Sequence, residues 1–389
     1  MYKIQILNEI SDIIRRHLGC DYTIAKGEAM PDAVLVRSAS MLDTAFPPSL
    51  LAIARAGAGV NNIPLDRCSA EGICVFNTPG ANANAVCELV IAGLLLGNRD
   101  IVGGIAWIQG EKGKGTDVPK IVEKGKAAFA GPELRGKQLG IVGLGAIGVL
   151  VANAAVALGM DVVGYDPAIS VEHAWGLSSM ARRALSLDEL LAASDYVTLH
   201  LPLNDKTRGL FGADALAKMK PSAVLLNYAR AELVDSAALL TAVAAGKLRG
   251  YVTDFPTDEM LGVEHVLPIP HLGASTPESE DNCADMAAAQ LRDYLETGAI
   301  RNSVNLPDVA LAAPAGKPRV TVIHQNIPNM LAAISSAAGK LGINISDMTN
   351  RSRGDIAYSV FDLDDGKAEI SGLCATLEAL EGVIRVRAI

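Results

Sequence analysis

A chain of 389 residues, half apolar and a fifth charged, is too long for a single compact core and too apolar to stay disordered. Its net charge of -9 argues against nucleic acid or an anionic membrane as partner, because both need clustered cations. Six cysteines without close pairs suggest neither a disulfide framework nor a metal cage, so no metal is expected and a reducing cytoplasm is the expected setting.

The opening "MYKIQILNEI" reads as a strand and lacks the basic-then-apolar layout of a secretory signal. Short apolar runs follow ("AVLVR", "LAIARA", "ICVFN"), separated by polar connectors, the rhythm of an α/β segment with a parallel sheet. "ANANAVCELVIAGLLLGN" at 81–98 reads as a largely buried helix. Its apolar stretch at 89–97 falls far short of the roughly 20 residues needed to span a bilayer. Residues 108–134 are rich in lysine and glycine and read as an exposed excursion.

A second α/β series begins at "KQLGIVGLGAIG" and runs through "MDVVGYDP", "DYVTLHLPL", "AVLLNYAR" and "RGYVTDF" to "HVLPIPHLGAS". A long amphipathic helix over 276–298 opens with Thr276, Pro277 and Glu278 in a capping arrangement. Pro307, Pro314 and Pro318 mark a linker over 306–318. The rest, from "RVTVIHQ" to "VIRVRAI", alternates as β-α-β-β-α-β and is expected to stand as a separate unit. The fold class is therefore α/β, two doubly wound parallel-sheet (Rossmann-like) domains followed by a small α+β domain.

Gly143, Gly145 and Gly148 form G-x-G-x-x-G between an apolar strand and a helix, which suits a pyrophosphate resting on the helix N-terminus. Asp166 follows the last glycine by eighteen residues, at the end of the next strand. A carboxylate there accepts hydrogen bonds from ribose hydroxyls and repels a 2′-phosphate, so NAD is favoured over NADP.

Ligands of open parallel sheets bind beyond the carboxyl ends of the strands. That rule selects His200, the turn Asn227 to Arg230, Asp254 and His271. His271 suits a base that takes a hydroxyl proton, and Arg230 a cation that grips a carboxylate with two parallel hydrogen bonds.

"RAGAGVNNI" (55–63), "GANANAVCELV" (80–90), "GLGAIG" (143–148), "HLPLNDKTRGLF" (200–211), "NYARAELVD" (227–235), "TDFPTDE" (253–259) and "PHLGAST" (270–276) resemble, in order, the motifs of the D-2-hydroxyacid dehydrogenases. The last seventy residues resemble an ACT domain. By that resemblance Arg230, Glu259 and His271 are the catalytic set, with Glu259 the carboxylate partner of His271. Family members usually read Asp-Val-Phe-x-x-Glu where this chain reads "DFPTDE", so Asp258 competes with Glu259 for that role.

The resemblance also places Ala146, Ile147, Leu201, Tyr228, Ala229, Arg230, Asp254, His271, Gly273 and Ala274 along the cofactor. It gives Arg37 and Arg55, with Arg230, to the substrate. It implies a discontinuous substrate-binding domain, 1–84 with 275–305, an NAD-binding domain at 85–274 and an ACT-like regulatory domain at 319–389.

The ACT pairing implies oxidation of 3-phosphoglycerate to 3-phosphohydroxypyruvate, the first step of L-serine synthesis, in a homodimer or homotetramer. L-serine would be the effector, on His324, Asn326 and Asn344, although the glycine usual after Pro328 is Asn329 here. The alternatives are a hydroxypyruvate or glyoxylate reductase, a D-lactate-type dehydrogenase, or a non-catalytic protein that senses NAD.

Overall fold

The structure, a computed structural model, describes residues 1–27, 30–314, 316–364 and 370–389. It divides into two compact units, Met1–Asn82 with Glu280–Ile389, and Ala83–Ser279.

The first unit begins with strands β1 (Tyr2–Leu7), β2 (Tyr22–Ala25), β3 (Ala33–Val36), β4 (Ala52–Arg55) and β5 (Cys74–Phe76) and the short helix α1 (Leu65–Ala70). All pairings are parallel, in the order β2-β1-β3-β4-β5. The unbroken apolar runs of β3 and β5 are buried throughout, as a strand covered on both faces requires. A 3-10 turn at Asp12–Arg16, capped by Ser11, joins β1 to β2.

The second unit opens with α2 (Ala83–Asn98), α3 (Ile101–Gly110) and α4 (Val118–Gly125). No residue of α3 or α4 is buried, and Trp107 stacks on Phe129 at 5.2 Å, so the exposed excursion has helical structure of its own. The unit continues through β6 (Gln138–Val142), α5 (Ala146–Ala157), β7 (Asp161–Tyr165), α6 (Val171–Gly176), β8 (Arg182–Arg183) and α7 (Leu187–Ala193). It ends with β9 (Tyr196–Leu199), α8 (Ala213–Lys218), β10 (Val224–Asn227), α9 (Ser236–Ala244), β11 (Gly250–Thr253) and β12 (Val266–Pro268). Its seven parallel strands lie in the order β12-β11-β10-β9-β6-β7-β8. Strand order therefore reverses beside β6, which sets a ligand crevice at the carboxyl ends of β6 and β9.

The chain then forms α10 (Pro277–Thr297), β13 (Arg319–Gln325), α11 (Met330–Lys340), β14 (Ile345–Arg353), β15 (Ile356–Leu363), α12 (Ile370–Glu378) and β16 (Val383–Ala388). The last four strands make an antiparallel sheet in the order β14-β15-β13-β16. Residues 367–369, read as the start of the last helix, and residue 315 of the expected linker lie outside the described residues.

This sheet does not stand apart. Val320, Val322, Phe361 and Leu363 pack with Ile334 and Leu373 of α11 and α12. Ile323, Tyr358 and Val360 share one core with Leu291 and Tyr294 of α10 and with Phe76 of β5. Leu306 and Val309, at the start of the expected linker, are buried in that same core.

Polar contacts hold the join. A helix leaves its last carbonyls without partners, and cations are favoured there. Arg387 donates to the Tyr294 and Leu295 carbonyls at 2.7 and 2.5 Å, and its guanidinium lies over the Tyr294 ring. Arg319 donates to the Thr297 carbonyl at 2.8 Å, and the Tyr358 hydroxyl to Gly298 at 2.8 Å. Arg319 is itself held by Asp362 through two hydrogen bonds. Among the described residues no single helix is long and apolar enough to cross a membrane.

Candidate active site

The glycine turn closes β6 onto α5. Gly143 adopts φ +96°, and a Cβ there would meet the His200 carbonyl, while a Cβ on Gly148 would collide with the Gly143 carbonyl. These two positions need glycine for the turn and for close strand-helix packing. Gly145, at the N-cap of α5, has open space where its Cβ would project. A dinucleotide pyrophosphate fits such a cradle, next to the helix N-terminus and the half-buried Ala146 and Ile147. Leu201 lies against Gly143.

Asp166 follows β7 and accepts two backbone N–H bonds, from Leu144 and from Ala168, each at 2.8 Å. It therefore braces the turn. His200 is a neutral group: burial pushes its pKa down to about 3, and its Nε2 lies 3.1 Å from the Thr198 hydroxyl.

The carboxyl ends of β10 and β11 carry the rest of this unit's candidates. The Asn227 side chain ties the turn to Arg230, donating to the Arg230 carbonyl at 2.9 Å and accepting from Ala229 N–H. Arg230 is exposed and extended there, and its Nη1 donates to the Ala229 carbonyl at 2.6 Å. The Tyr228 ring is buried, with its hydroxyl seated against Gly93 of α2 and without a hydrogen-bond partner among the described residues. Burial, and then the neighbouring Asp254 charge, raise its pKa.

Asp254 is the most unusual group. It is 1 % exposed, and among the described residues neither carboxylate oxygen meets a hydrogen-bond donor within bonding geometry. Burial raises its pKa, opposed first by His271 and then by the Gly273 backbone. Gly273 faces it, since a Cβ there would lie 3.2 Å from Asp254 Oδ2, and the half-buried Ala274 follows. His271 is exposed just past β12, with its ring 4.8 Å from that of Phe255.

Asp254 is thus near enough to His271 for their charges to interact. Among the described residues no ion pair joins His271 to Glu259 or to Asp258. Met260 is buried and pins the 3-10 turn Asp258–Met260, which leaves Glu259 facing solvent. A hydrogen bond to its own backbone N–H, and then Thr257, hold Glu259 below its usual range.

In the first unit, Arg37 and Arg55 come together at the ends of neighbouring strands, and Arg55 Nε donates to the Arg37 carbonyl at 3.1 Å. The Asn8 side chain accepts from the backbone N–H groups of Arg37, Ser38 and Ala39 and fixes that loop. The Arg55 guanidinium lies across Gly57, whose φ of +151° leaves room for it.

The effector candidates are not brought together within one chain. His324 is 1 % exposed, with Nδ1 2.8 Å from the Gln325 carbonyl and Nε2 3.0 Å from Ser359 Oγ. Every residue of β13 but the last is buried, so this histidine is a core residue of the sheet. Exposed Asn326 donates to the Gly354 carbonyl at 3.1 Å. Asn344 donates to Asp364 at 2.6 Å, next to Lys317. Gly354 and Asn344 bracket the nine residues of β14, roughly 30 Å at the rise of an extended strand. Asn329 adopts φ +67°, which asparagine tolerates, so the loop keeps its shape without glycine.

Sequence reading missed three supporting residues. Ser359 satisfies His324, Asp364 holds Asn344, and Glu280 pairs with Arg37 at 2.7 Å. Glu280 reads in sequence as one more acid in the first turns of a helix, and only the fold brings it to Arg37.

The chain's residues 95–273 match the family model of the D-isomer specific 2-hydroxyacid dehydrogenase, NAD binding domain. It is 34 % identical over 361 residues to D-3-phosphoglycerate dehydrogenase of Haemophilus influenzae, covering 90 % of this chain and 83 % of that one. It is 38 % identical over 284 residues to D-3-phosphoglycerate dehydrogenase of Mycobacterium tuberculosis, covering 71 % of this chain; the chain spans about half, 51 %, of that relative's length. The structure of NAD+-bound 3-phosphoglycerate dehydrogenase from Entamoeba histolytica superposes with a TM-score of 0.61 at 27 % identity, covering 78 % of this chain and 98 % of that one. The chain belongs to the D-isomer specific 2-hydroxyacid dehydrogenase family and carries its NAD-binding domain.

Proposed function

We propose that this chain is a D-3-phosphoglycerate dehydrogenase, oxidising 3-phospho-D-glycerate to 3-phosphohydroxypyruvate with NAD at the start of L-serine synthesis. The observation that carries the substrate is the pair Arg37 and Arg55 on adjacent strand ends, two cations on an acidic protein where a phosphate would need them. Relatives of that name support it over most of the chain.

When bound, NAD supplies the hydride acceptor. His271 takes the proton of the substrate hydroxyl as the general base. Arg230, held by the Asn227 turn, grips the carboxylate and polarises the oxygen on which negative charge develops. Asp254 supplies a buried carboxylate near His271, a negative charge to offset the positive charge the imidazole gains with the proton. Glu259 stays in this scheme as the partner that the family resemblance suggests, reached only by a shift of its turn.

The assignment of 1–84 with 275–305 to substrate, 85–274 to NAD, 306–318 to a linker and 319–389 to an ACT-like regulatory domain belongs to the same proposal, as does a cytoplasmic setting. The β-α-β-β-α-β order supports the ACT reading. Since Asn326 and Asn344 lie at opposite ends of one sheet, an L-serine site would need a second copy, in a homodimer or homotetramer. Ile101, Val102 and Ile105, exposed on α3, are apolar surface for such an assembly.

NADH-linked turnover with 3-phosphohydroxypyruvate, set against hydroxypyruvate, glyoxylate and pyruvate, tests the reading. The highest kcat/KM is expected for the phosphorylated substrate. Preference for glyoxylate or pyruvate would reassign the substrate, and no turnover with any of them would leave an NAD-sensing protein.

A further inference from the structure

Arg37 and Arg55 are not equivalent. Arg55 is fixed at the end of β4, its Nε given to the Arg37 carbonyl and its guanidinium laid across Gly57. The backbone of Arg37 is pinned by Asn8, but its guanidinium reaches to α10, where Nη2 meets Glu280 Oε1 at 2.7 Å. Both partners are partly open to solvent, 38 % and 45 % exposed, so the contact can be exchanged for another anion.

We infer that Glu280 is a built-in competitor for Arg37 and tunes how strongly the phosphate end of the substrate is held. The inference rests on the proposed reading of Arg37 and Arg55 as the phosphate site. A phosphate carries nearly two negative charges at neutral pH. To reach Arg37 it must displace the Glu280 carboxylate or settle beside it, and either weakens binding through lost pairing or like-charge repulsion. A substrate without phosphate makes no demand on Arg37 and is indifferent to Glu280. Glu280 is therefore a specificity residue that acts through Arg37 and does not touch the reacting atoms.

Glu280→Gln removes the charge while keeping the side chain's length. Steady-state kinetics with 3-phosphohydroxypyruvate and hydroxypyruvate, and inhibition by inorganic phosphate, would be compared in wild type, Glu280→Gln and Arg37→Ala. Glu280→Gln is expected to lower both KM for the phosphorylated substrate and Ki for phosphate about two- to fivefold, the scale of an exposed ion pair. The KM for hydroxypyruvate should stay within about twofold, since that substrate makes no pairing with Arg37 to gain. Suppose Arg37→Ala weakens phosphorylated substrate roughly tenfold or more but Glu280→Gln leaves its KM unchanged or raised. The competitor role would then be overturned while the phosphate site stands. If Arg37→Ala has no effect on phosphorylated substrate, the phosphate site itself falls and this inference with it.

Discussion

Asp166 Oδ2 accepts the backbone N–H of Leu144 at 2.8 Å, so the carboxylate proposed to hold the cofactor ribose also buttresses the glycine turn. Asp166→Ala should therefore do two things at once: relax the preference for NAD over NADP and lower the melting temperature. Loss of a hydrogen bond to a charged group costs about 1.5–3 kcal/mol. Asp166→Asn keeps an acceptor for Leu144, so it should recover most of the stability without restoring the preference. Cofactor binding and thermal melts on the two variants separate the roles, and equal melting temperatures for Ala and wild type would show that Leu144 gains nothing from Asp166.

His271→Ala should abolish turnover and leave NAD binding intact, because the glycine turn and Asp166 lie at other strand ends. The expected fall in kcat is at least about 10²-fold. Cofactor fluorescence measured beside the activity would show whether binding survives. A variant retaining half its activity would remove His271 from the proton-transfer role.

Asp254 carries a pH signature. Its folded-state pKa is raised by burial, so the folded protein holds this proton more tightly than the unfolded chain. The charged form is thus a penalty, absent below the ordinary value of 3.8 and fully present above the raised one. Asp254→Asn should melt higher than wild type at neutral pH, with the difference shrinking as pH falls towards 3.8. A variant less stable at neutral pH would mean that the carboxylate finds partners in solution.

His324→Ala should behave as a core substitution. The side chain is enclosed and bonded to Ser359 and the Gln325 carbonyl, so its removal leaves a cavity and takes one partner from the Ser359 hydroxyl, which still donates to Asn350 at 2.8 Å. Losses of about 2–4 kcal/mol are typical of such changes. Asn344→Ala, at an exposed position, should cost little stability and, if L-serine inhibits, should relieve that inhibition. Denaturant melts and serine titrations of both variants test the contrast, and a fully stable His324→Ala would show that the histidine is dispensable to the sheet.

What the sequence disclosed and what it hid follow from how local each feature is. Gly143, Gly148 and Asp166 are tied by steric rules operating within one β-α-β unit, so spacing alone located them. Arg230 and His271 lie just past the ends of β10 and β12, where the rule for open parallel sheets puts candidate site residues. The orientation of the acidic pair Asp258 and Glu259 was not legible, because it is set by Met260, whose burial pins the turn and leaves Glu259 exposed while Asp254 is enclosed. The 242 positions between Arg37 and Glu280 leave no pattern to read, and His324 is satisfied by Ser359, a neighbour supplied by another strand.

The end of α10 bears on severability. Tyr294, Leu295, Thr297 and Gly298 present carbonyls that Arg387, Arg319 and Tyr358 answer from the last seventy residues. A chain cut at residue 318 would strip those donors and lay bare the Tyr294 ring together with the apolar surface that Ile323, Tyr358 and Val360 cover. The terminal sheet is thus structural cladding for the first unit, whatever it binds. Protease digestion of the folded protein should release no intact 1–318 fragment, and evolution could not shed the terminal sheet without first rebuilding the end of α10.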